Sequence, residues 1–209
     1  MNDKNMTSYM SAKTPAVLAA MVLMLVSSAP CFAQDFNFKL VRSPALSNAP
    51  ACVAHAMGRA SIQKSGPVEI LNVNVSGLPA NTEFDFFVIQ VPNGPFGMSW
   101  YQGDIETNYR GVGHGTFIGR FNIETFMVAP GVADAPLTFH NEFPSVSPNP
   151  ETGPIQMYHL GLWFNSPQDA RNAGCPDTVT PFNGEHNAGV QVLNTSNFPD
   201  LSGPLRHVH

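Results

Sequence analysis

Apolar and polar residues alternate along much of the chain after residue 50, and this pattern predicts β-strands. Residues 71–75 alternate strictly, as a strand with one face in water requires. Residues 83–91 begin with the same alternation and then become apolar on both faces, which is typical of a central strand. Residues 157–164 and 188–193 predict two further strands. The pattern as a whole indicates an all-β fold.

Two longer runs, residues 97–107 and 113–128, predict a pair of strands that follow one another in the chain. The residues between them, 108–111, have the sequence Asn-Tyr-Arg-Gly, which is of the type that forms turns. On the second strand, Phe117, Phe121 and Ile123 share one face. We expect these two strands to pair with each other.

Two segments depart from the strand pattern. Residues 166–174 predict a short helix, because Ser166 can cap it, Pro167 suits the first helical position and Gly174 suits the end. Residues 130–154 contain six prolines. Because proline cannot donate to a strand ladder, this segment cannot form a central strand, and we expect a long loop across the surface.

The first 33 residues have the organisation of a secretory signal peptide. Lys4 and Lys13 make the start basic, an uncharged apolar run follows at residues 16–26, and small residues lead up to Ala33. The run is too short to span a bilayer, which takes about 20 residues. We expect cleavage after Ala33, which leaves residues 34–209 as a single secreted or periplasmic domain without a membrane span.

Two cysteines, Cys52 and Cys175, remain after residues 1–33 are removed. In an oxidising compartment such a pair is more often a disulfide than two free thiols. A bond between them would close a loop of about 124 residues, for which the chain-entropy model gives about 4–5 kcal/mol. We therefore predict a Cys52–Cys175 disulfide.

The composition excludes several classes of protein. Charged residues make up 12% of the chain and aromatic residues 10%, whereas disordered chains are rich in charge and poor in aromatics. Without residues 1–33 the net charge is about −6 with neutral histidines, and nucleic-acid-binding domains are basic. We expect a folded domain without a nucleic-acid partner.

Residues 73–88 resemble the strand–turn–strand corner of fibronectin type III and immunoglobulin-like domains. In that corner Leu78 would fill the core, Pro79 would end pairing, and Phe84 would return into the sandwich. Phe84 replaces the usual tyrosine, so the hydroxyl bond of a tyrosine corner cannot form. The resemblance implies an immunoglobulin-like or fibronectin-like antiparallel β-sandwich with a long Pro-rich loop and one short helix.

Four other segments are similar to runs in a family of uncharacterised exported bacterial proteins. They are residues 121–126, 160–164, 173–176 and 180–189. This resemblance implies a bacterial secreted origin and no particular activity.

Seven histidines remain after residue 33, and metal sites are often built from histidines on different strands. If Cys52 and Cys175 are bonded, His55 could lie near residues 159–186. The candidate ligands of a copper or zinc ion are His55, His159, Glu185 and His186. Their spacing is not that of a zinc finger or of a His-Glu-x-x-His metalloprotease. Solvated or hydrogen-bonded histidines are the alternative interpretation.

Carboxylates and aromatic residues cluster on the strand at 97–107. Asp104 and Glu106 share a face with Gln102 and Trp100, and neighbouring positions on one face are about 6.5–7 Å apart. A glycoside hydrolase needs two carboxylates about 5–10 Å apart. Because adjacent strand residues point to opposite faces, we expect one of Trp100 and Tyr101 to be exposed, and Trp100 to lie in the core.

We rank three hypotheses on function. The first is an exported, non-enzymatic module that binds a protein or a glycan through Trp100, Tyr101, Asp104 and Glu106. The alternative is a secreted domain that binds copper or zinc through histidines. The third is a glycan-directed hydrolase that uses Asp104, Glu106 or Glu124. The chain has no nucleophile elbow, phosphate-binding loop or dinucleotide fingerprint, which favours the first.

Overall fold

The computed structural model describes residues 35–134, 151–182 and 184–209, and the side chains of all these except 129–134 and 151–153. These residues belong to one compact unit, Ala33–His209. The signal peptide predicted for residues 1–33 and the centre of the Pro-rich segment lie outside the described residues. Across the part of the chain that is described, no helix is long and apolar enough to cross a membrane.

Strands make up most of the regular structure in the described ranges. The strands are β1 (Phe36–Arg42), β2 (Met57–Ser65), β3 (Val68–Ser76), β4 (Glu83–Ile89), β5 (Ser99–Glu106), β6 (Gly113–Gly119), β7 (Phe126–Asp134), β8 (Glu151–Gln156), β9 (His159–Phe164) and β10 (Gln191–Asn194). The helix α1 is Pro167–Asn172, and short 3₁₀ turns occupy Pro44–Leu46 and Pro204–His207. The predicted all-β fold with one short helix is confirmed.

Eight strands form one antiparallel sheet in the order β5-β4-β9-β10-β1-β2-β3-β6. Strand β1 bends between its two neighbours, because residues 36–40 pair with β2 and Val41 and Arg42 pair with β10. The sheet therefore folds over on itself and encloses a core between its two halves. Leu40 and Leu71 come from one half, and Phe84 and Leu162 from the other, all almost fully buried. The result is a sandwich that approaches a closed barrel, and its immunoglobulin-like or fibronectin-like type stays a prediction.

The predicted pairing of the strands around residues 97–107 and 113–128 is wrong. Strand β5 pairs with β4 and β6 pairs with β3, at opposite ends of the sheet. The two end strands meet through one bridge, Thr107–Gly113, and through side chains. The ring of Phe117 stacks on Phe86 with centroids 4.9 Å apart. The same ring reaches β5, because a Cβ on Gly103 would lie 3.1 Å from Phe117 Cε1.

The corner after β3 places the residues of the predicted sandwich motif. Leu78 and Phe84 are both buried in the core, as expected. The Thr107 hydroxyl donates to the Pro79 carbonyl over 2.6 Å and ties this corner to the end of β5. Gly111, with φ of 68°, lies so close that a Cβ would be 2.0 Å from the Leu78 oxygen, so only glycine fits there.

The Pro-rich segment is not entirely a loop, which corrects the expectation for residues 130–154. Its two ends belong to β7 and β8, which pair from Phe126–Gln156 to Pro130–Thr152. Proline is tolerated because a two-stranded ribbon has two free edges. Residues 135–150 lie outside the described ranges.

The predicted disulfide is confirmed and joins the loop after β1 to the end of α1. Cys52 and Cys175 are bonded, with their Cα atoms 4.9 Å apart. The helix begins as expected, because the Ser166 hydroxyl accepts from the Asp169 backbone N–H over 3.2 Å. The bond therefore fixes the helix to the corner where the two halves of the sheet meet.

Removing the disulfide should cost much of the stability of the domain. We expect the double variant Cys52→Ser/Cys175→Ser to lower the free energy of unfolding by about 4–5 kcal/mol, because the unfolded chain gains the freedom of a large loop. Urea titration measures this loss. Dithiothreitol should destabilise the original protein and leave the variant unchanged. A loss below about 1 kcal/mol would contradict the entropic role of the bond.

Candidate functional site

A β-bulge in β5 places Tyr101 on the same face as Asp104. Gly103 lies opposite Phe86 and Tyr101 lies opposite Phe87, so Gln102 is an extra residue. The Tyr101 hydroxyl donates to Asp104 Oδ1 over 2.5 Å. The expectation that Gln102 and Trp100 share the face of Asp104 and Glu106 is therefore wrong, because Tyr101 joins that face and Trp100, opposite Val88, lies on the other.

Both aromatic residues of this strand are partly exposed. Trp100 keeps 46% and Tyr101 42% of their surface in water. The expectation that Trp100 lies in the core is wrong, because β5 ends the sheet and the neighbouring strand β6 approaches only its other end. Asp104 and Glu106 are also exposed. The four residues predicted to bind a ligand thus lie on one strand and reach solvent.

Strand β4 adds two carboxylates that the sequence interpretation missed. Asp85 lies directly opposite Asp104, and Glu83 lies opposite Glu106. Candidate ligand atoms of Glu83, Asp85 and Asp104 lie within 4.8 Å of one another. Oxygen-only groups of this kind suit hard cations such as Ca²⁺, whereas copper and zinc prefer nitrogen and sulfur. The signal in the sequence was the pair of acids at alternate positions where β4 begins.

Burial and neighbouring carboxylates raise the pKa of two groups at this site. Burial raises the pKa of Glu83, and the neighbouring Asp104 and Glu106 carboxylates raise it further. Burial also raises the pKa of Tyr101 well above its usual value, with the hydrogen bond to Asp104 as the second cause. Tyr101 therefore stays a protonated donor at any physiological pH.

The second tryptophan is not part of this exposed surface. Trp163 is fully buried on the outer side of β9, where Phe87, Phe96 and Phe182 surround it at centroid distances of 5.1–5.4 Å. The indole crosses Gly161, where a Cβ would lie 2.4 Å from Cζ3. This cluster packs against the candidate site, because the ring centroids of Tyr101 and Phe87 lie 5.5 Å apart.

His159 has a structural environment. Its ring is fully buried, and Nε2 donates to the carbonyls of Pro199 and Asp200 at 3.1 and 3.0 Å. Nδ1 then accepts from the Thr195 hydroxyl at 2.9 Å. Burial lowers the pKa of His159. Neither ring nitrogen offers a free lone pair to a metal.

The other predicted metal ligands are dispersed. His55, Glu185 and His186 are exposed in turns. Among the residues described, the acidic trio of β4 and β5 is the one group of three or more histidine, cysteine or carboxylate ligands that could hold an ion. The histidine site for copper or zinc stays a prediction for which this geometry offers no assembled ligand set.

The carboxylates predicted for a hydrolase fall into two places. Asp104 and Glu106 lie two residues apart on β5. Glu124 follows β6 and forms an exposed ion pair with Arg120. The structure brings Asp104 together with Glu83 and Asp85 instead.

Compared with family models, with curated proteins and with solved structures, the chain matches none. What the fold defines is a disulfide-containing all-β domain with an aromatic and acidic surface at one end of its sheet.

Removing the crowded charge of Glu83 should stabilise the domain at neutral pH. Because folding raises the pKa of Glu83, the folded state binds more protons than the unfolded state at pH values between the two pKa values. The free energy of unfolding therefore falls as the pH rises through that range. We expect Glu83→Gln to raise Tm at pH 7 and to lose this advantage below about pH 4, where the carboxyl is protonated in both states. Thermal unfolding followed by circular dichroism measures this. Glu124→Gln, which removes an ion-paired carboxylate, should not raise Tm.

His159 should make stability sensitive to acid. Because its pKa is lowered in the folded state, the unfolded chain binds more protons below about pH 6.5, and the free energy of unfolding falls as the pH drops. We expect His159→Gln to cost about 1–3 kcal/mol at pH 7.5 and to weaken the dependence on pH between 7.5 and 5.5. Urea titrations at both pH values measure this. Exposed His114 gives the control, and an equal pH dependence in His114→Gln and His159→Gln would contradict the assignment.

Proposed function

We propose that this chain is an exported, non-enzymatic binding domain and that its ligand is a glycan. The ligand surface is the aromatic–acidic patch, defined as Tyr101, Asp104, Glu106 and Glu83 on one face of the end strand, together with Trp100, which is exposed on the opposite face. The observation that carries the proposal is the exposure of two adjacent aromatic side chains, 46% and 42%, on the two faces of the end strand of the sheet, with carboxylates beside Tyr101. The disulfide supports export, because such bonds persist in oxidising compartments.

A ligand that engages side chains fits this strand better than one that adds a further strand. The Gln102 side chain donates to the Trp100 carbonyl over 3.1 Å, so part of the free edge is already occupied. The bulge at the same residue interrupts the regular ladder that strand addition requires. These features favour a glycan, whose apolar faces can stack on aromatic rings, over an extended peptide.

The patch is arranged before any ligand arrives. Tyr101 is fixed by its hydrogen bond to Asp104 and by the edge of the Phe87 ring. A side chain that is already ordered loses little entropy on binding, which favours affinity. The carboxylates can accept hydrogen bonds from sugar hydroxyls and repel anions. We therefore expect a neutral sugar or an amino sugar as the ligand.

The test is a screen of the mature protein against an array of neutral, amino and acidic glycans, followed by calorimetric titration of the best ligand. We expect Trp100→Ala to weaken binding at least about tenfold, because exposed aromatic anchors carry much of the energy of an interface. Tyr109→Ala is the matched control, since Tyr109 is 70% exposed in the turn after β5 and lies outside the patch.

Three results would overturn the proposal. They are the absence of any neutral or amino glycan ligand, an undiminished affinity in Trp100→Ala, and an equal loss in Tyr109→Ala. If the Trp100→Ala variant instead lost a protein partner and the original chain bound no glycan, the patch would belong to a protein ligand.

A further inference from the structure

The half of the sheet formed by β1, β2, β3 and β6 exposes polar side chains on its outer side. In the middle of these strands buried inward positions alternate with polar outward ones, and the exposed apolar residues Met57 and Ile118 lie at the margins of the outer surface. Two rows of outward residues run across the strands in register. One row is Lys39, Arg59, Asn74 and His114, and the other is Asn37, Ser61, Asn72 and Thr116. We call these eight residues the polar face.

The dimensions of the polar face follow from the spacing of strands and residues in a sheet. Neighbouring strands lie about 4.8 Å apart, so each row is about 14 Å long, and the rows are about 7 Å apart. None of its eight residues is fully buried. The outward positions of these four strands carry no carboxylate and, apart from His114, no aromatic ring.

Two positive charges lie together on this surface without a counter-charge. Lys39 and Arg59 are directly opposite each other on β1 and β2, and both are exposed. Within the described ranges, neither forms an ion pair or a side-chain hydrogen bond. Like charges placed directly opposite each other destabilise a sheet. The repulsion between Lys39 and Arg59 lowers the stability of the sheet, although the chain as a whole carries excess negative charge. A bound anion would remove this repulsion.

The polar side chains beside these charges are already ordered. His114 Nδ1 lies 3.0 Å from Asn74 Oδ1, and His114 Nε2 lies 3.0 Å from Thr116 Oγ1. The Thr116 hydroxyl donates to Asn72 Oδ1 over 2.8 Å. Close polar contacts therefore link His114, Thr116, Asn72 and Asn74 on one half of the polar face, and Lys39 and Arg59 occupy the other half.

We propose that the polar face binds an anionic polysaccharide, one that carries carboxylate or sulfate groups. Lys39 and Arg59 would bind the anionic groups, and the fixed amides and hydroxyls would bind sugar hydroxyls. Two cations are too few for an anionic membrane, which attracts clusters of about 4–8. The absence of tryptophan, tyrosine and phenylalanine from the outward positions gives nucleic-acid bases nothing to stack on.

The test uses two probes that differ only in charge, fluorescently labelled dextran sulfate and uncharged dextran of the same length. Fluorescence anisotropy should detect binding to dextran sulfate, weaker at higher salt, and none to dextran. The variant Lys39→Gln/Arg59→Gln should bind dextran sulfate about tenfold more weakly. Its Tm should be unchanged or higher, because the substitution removes a repulsion.

The matched control is Lys64→Gln/Arg110→Gln, which removes the same charge from exposed positions outside the polar face. Its affinity should change less than about twofold. An equal loss in both double variants would overturn the proposal, since the effect would then follow net charge alone. Equal affinity for polyglutamate of the same charge would also overturn it, because the sugar would not matter.

Two further results separate this proposal from its alternatives. Trp100→Ala should keep its affinity for dextran sulfate, because Trp100 belongs to the aromatic–acidic patch, so either surface can fail without the other. Sedimentation of the protein alone should show a monomer at low salt. A self-association that Lys39→Gln/Arg59→Gln abolishes would assign the polar face to a second copy of the chain and overturn the proposal.

Discussion

The bend of β1 is the constraint on which the rest of the fold depends, because this one strand belongs to both halves of the sheet. Arg42 lies at the bend and donates from Nε to the Cys52 carbonyl and from Nη2 to the carbonyls of Leu46 and Ala49, at 2.6–3.0 Å. Buried carbonyls need such partners, and charge-assisted bonds are stronger than neutral ones. The disulfide of Cys52 then anchors the same loop to α1. The positions of the strands on both sides of β1 therefore depend on the direction that this corner gives to the chain.

The strands and the helix could be predicted from the sequence, whereas the pairing of the strands could not. The alternation in β3 is confirmed because a strand with one buried face must place its apolar residues on that face. The helix at Pro167 is confirmed because its capping chemistry is local. The partner of β5 was predicted wrongly because short connections join β5 both to β4 and to β6, and the alternation of residues does not show with which of the two it pairs. Phe117 fills the gap between β5 and β6 with a ring, and nothing near it in the sequence predicts that.

The candidate site, like the fold, could be predicted from the sequence only in part. The residues of β5 were found because aromatic and acidic residues stand close together in the sequence. Their faces were predicted wrongly because a single extra residue, Gln102, reverses the alternation on one side of the bulge. Glu83 and Asp85 were missed because their approach to Asp104 depends on register between strands. His159 was taken as a candidate ligand because a sequence does not reveal that two carbonyls and a hydroxyl will enclose a ring.

The two proposed surfaces lie on the two halves of the sheet and carry opposite charge. Acids collect on β4 and β5, and the cations Lys39 and Arg59 collect on the other half of the sheet. The two halves pack about 10 Å apart, and the side chains extend further on each side. At physiological salt the screening length is about 8 Å, so each surface presents its own charge to solvent with little influence from the other. The net charge of the chain therefore describes neither surface, and each can select a ligand that the other would repel.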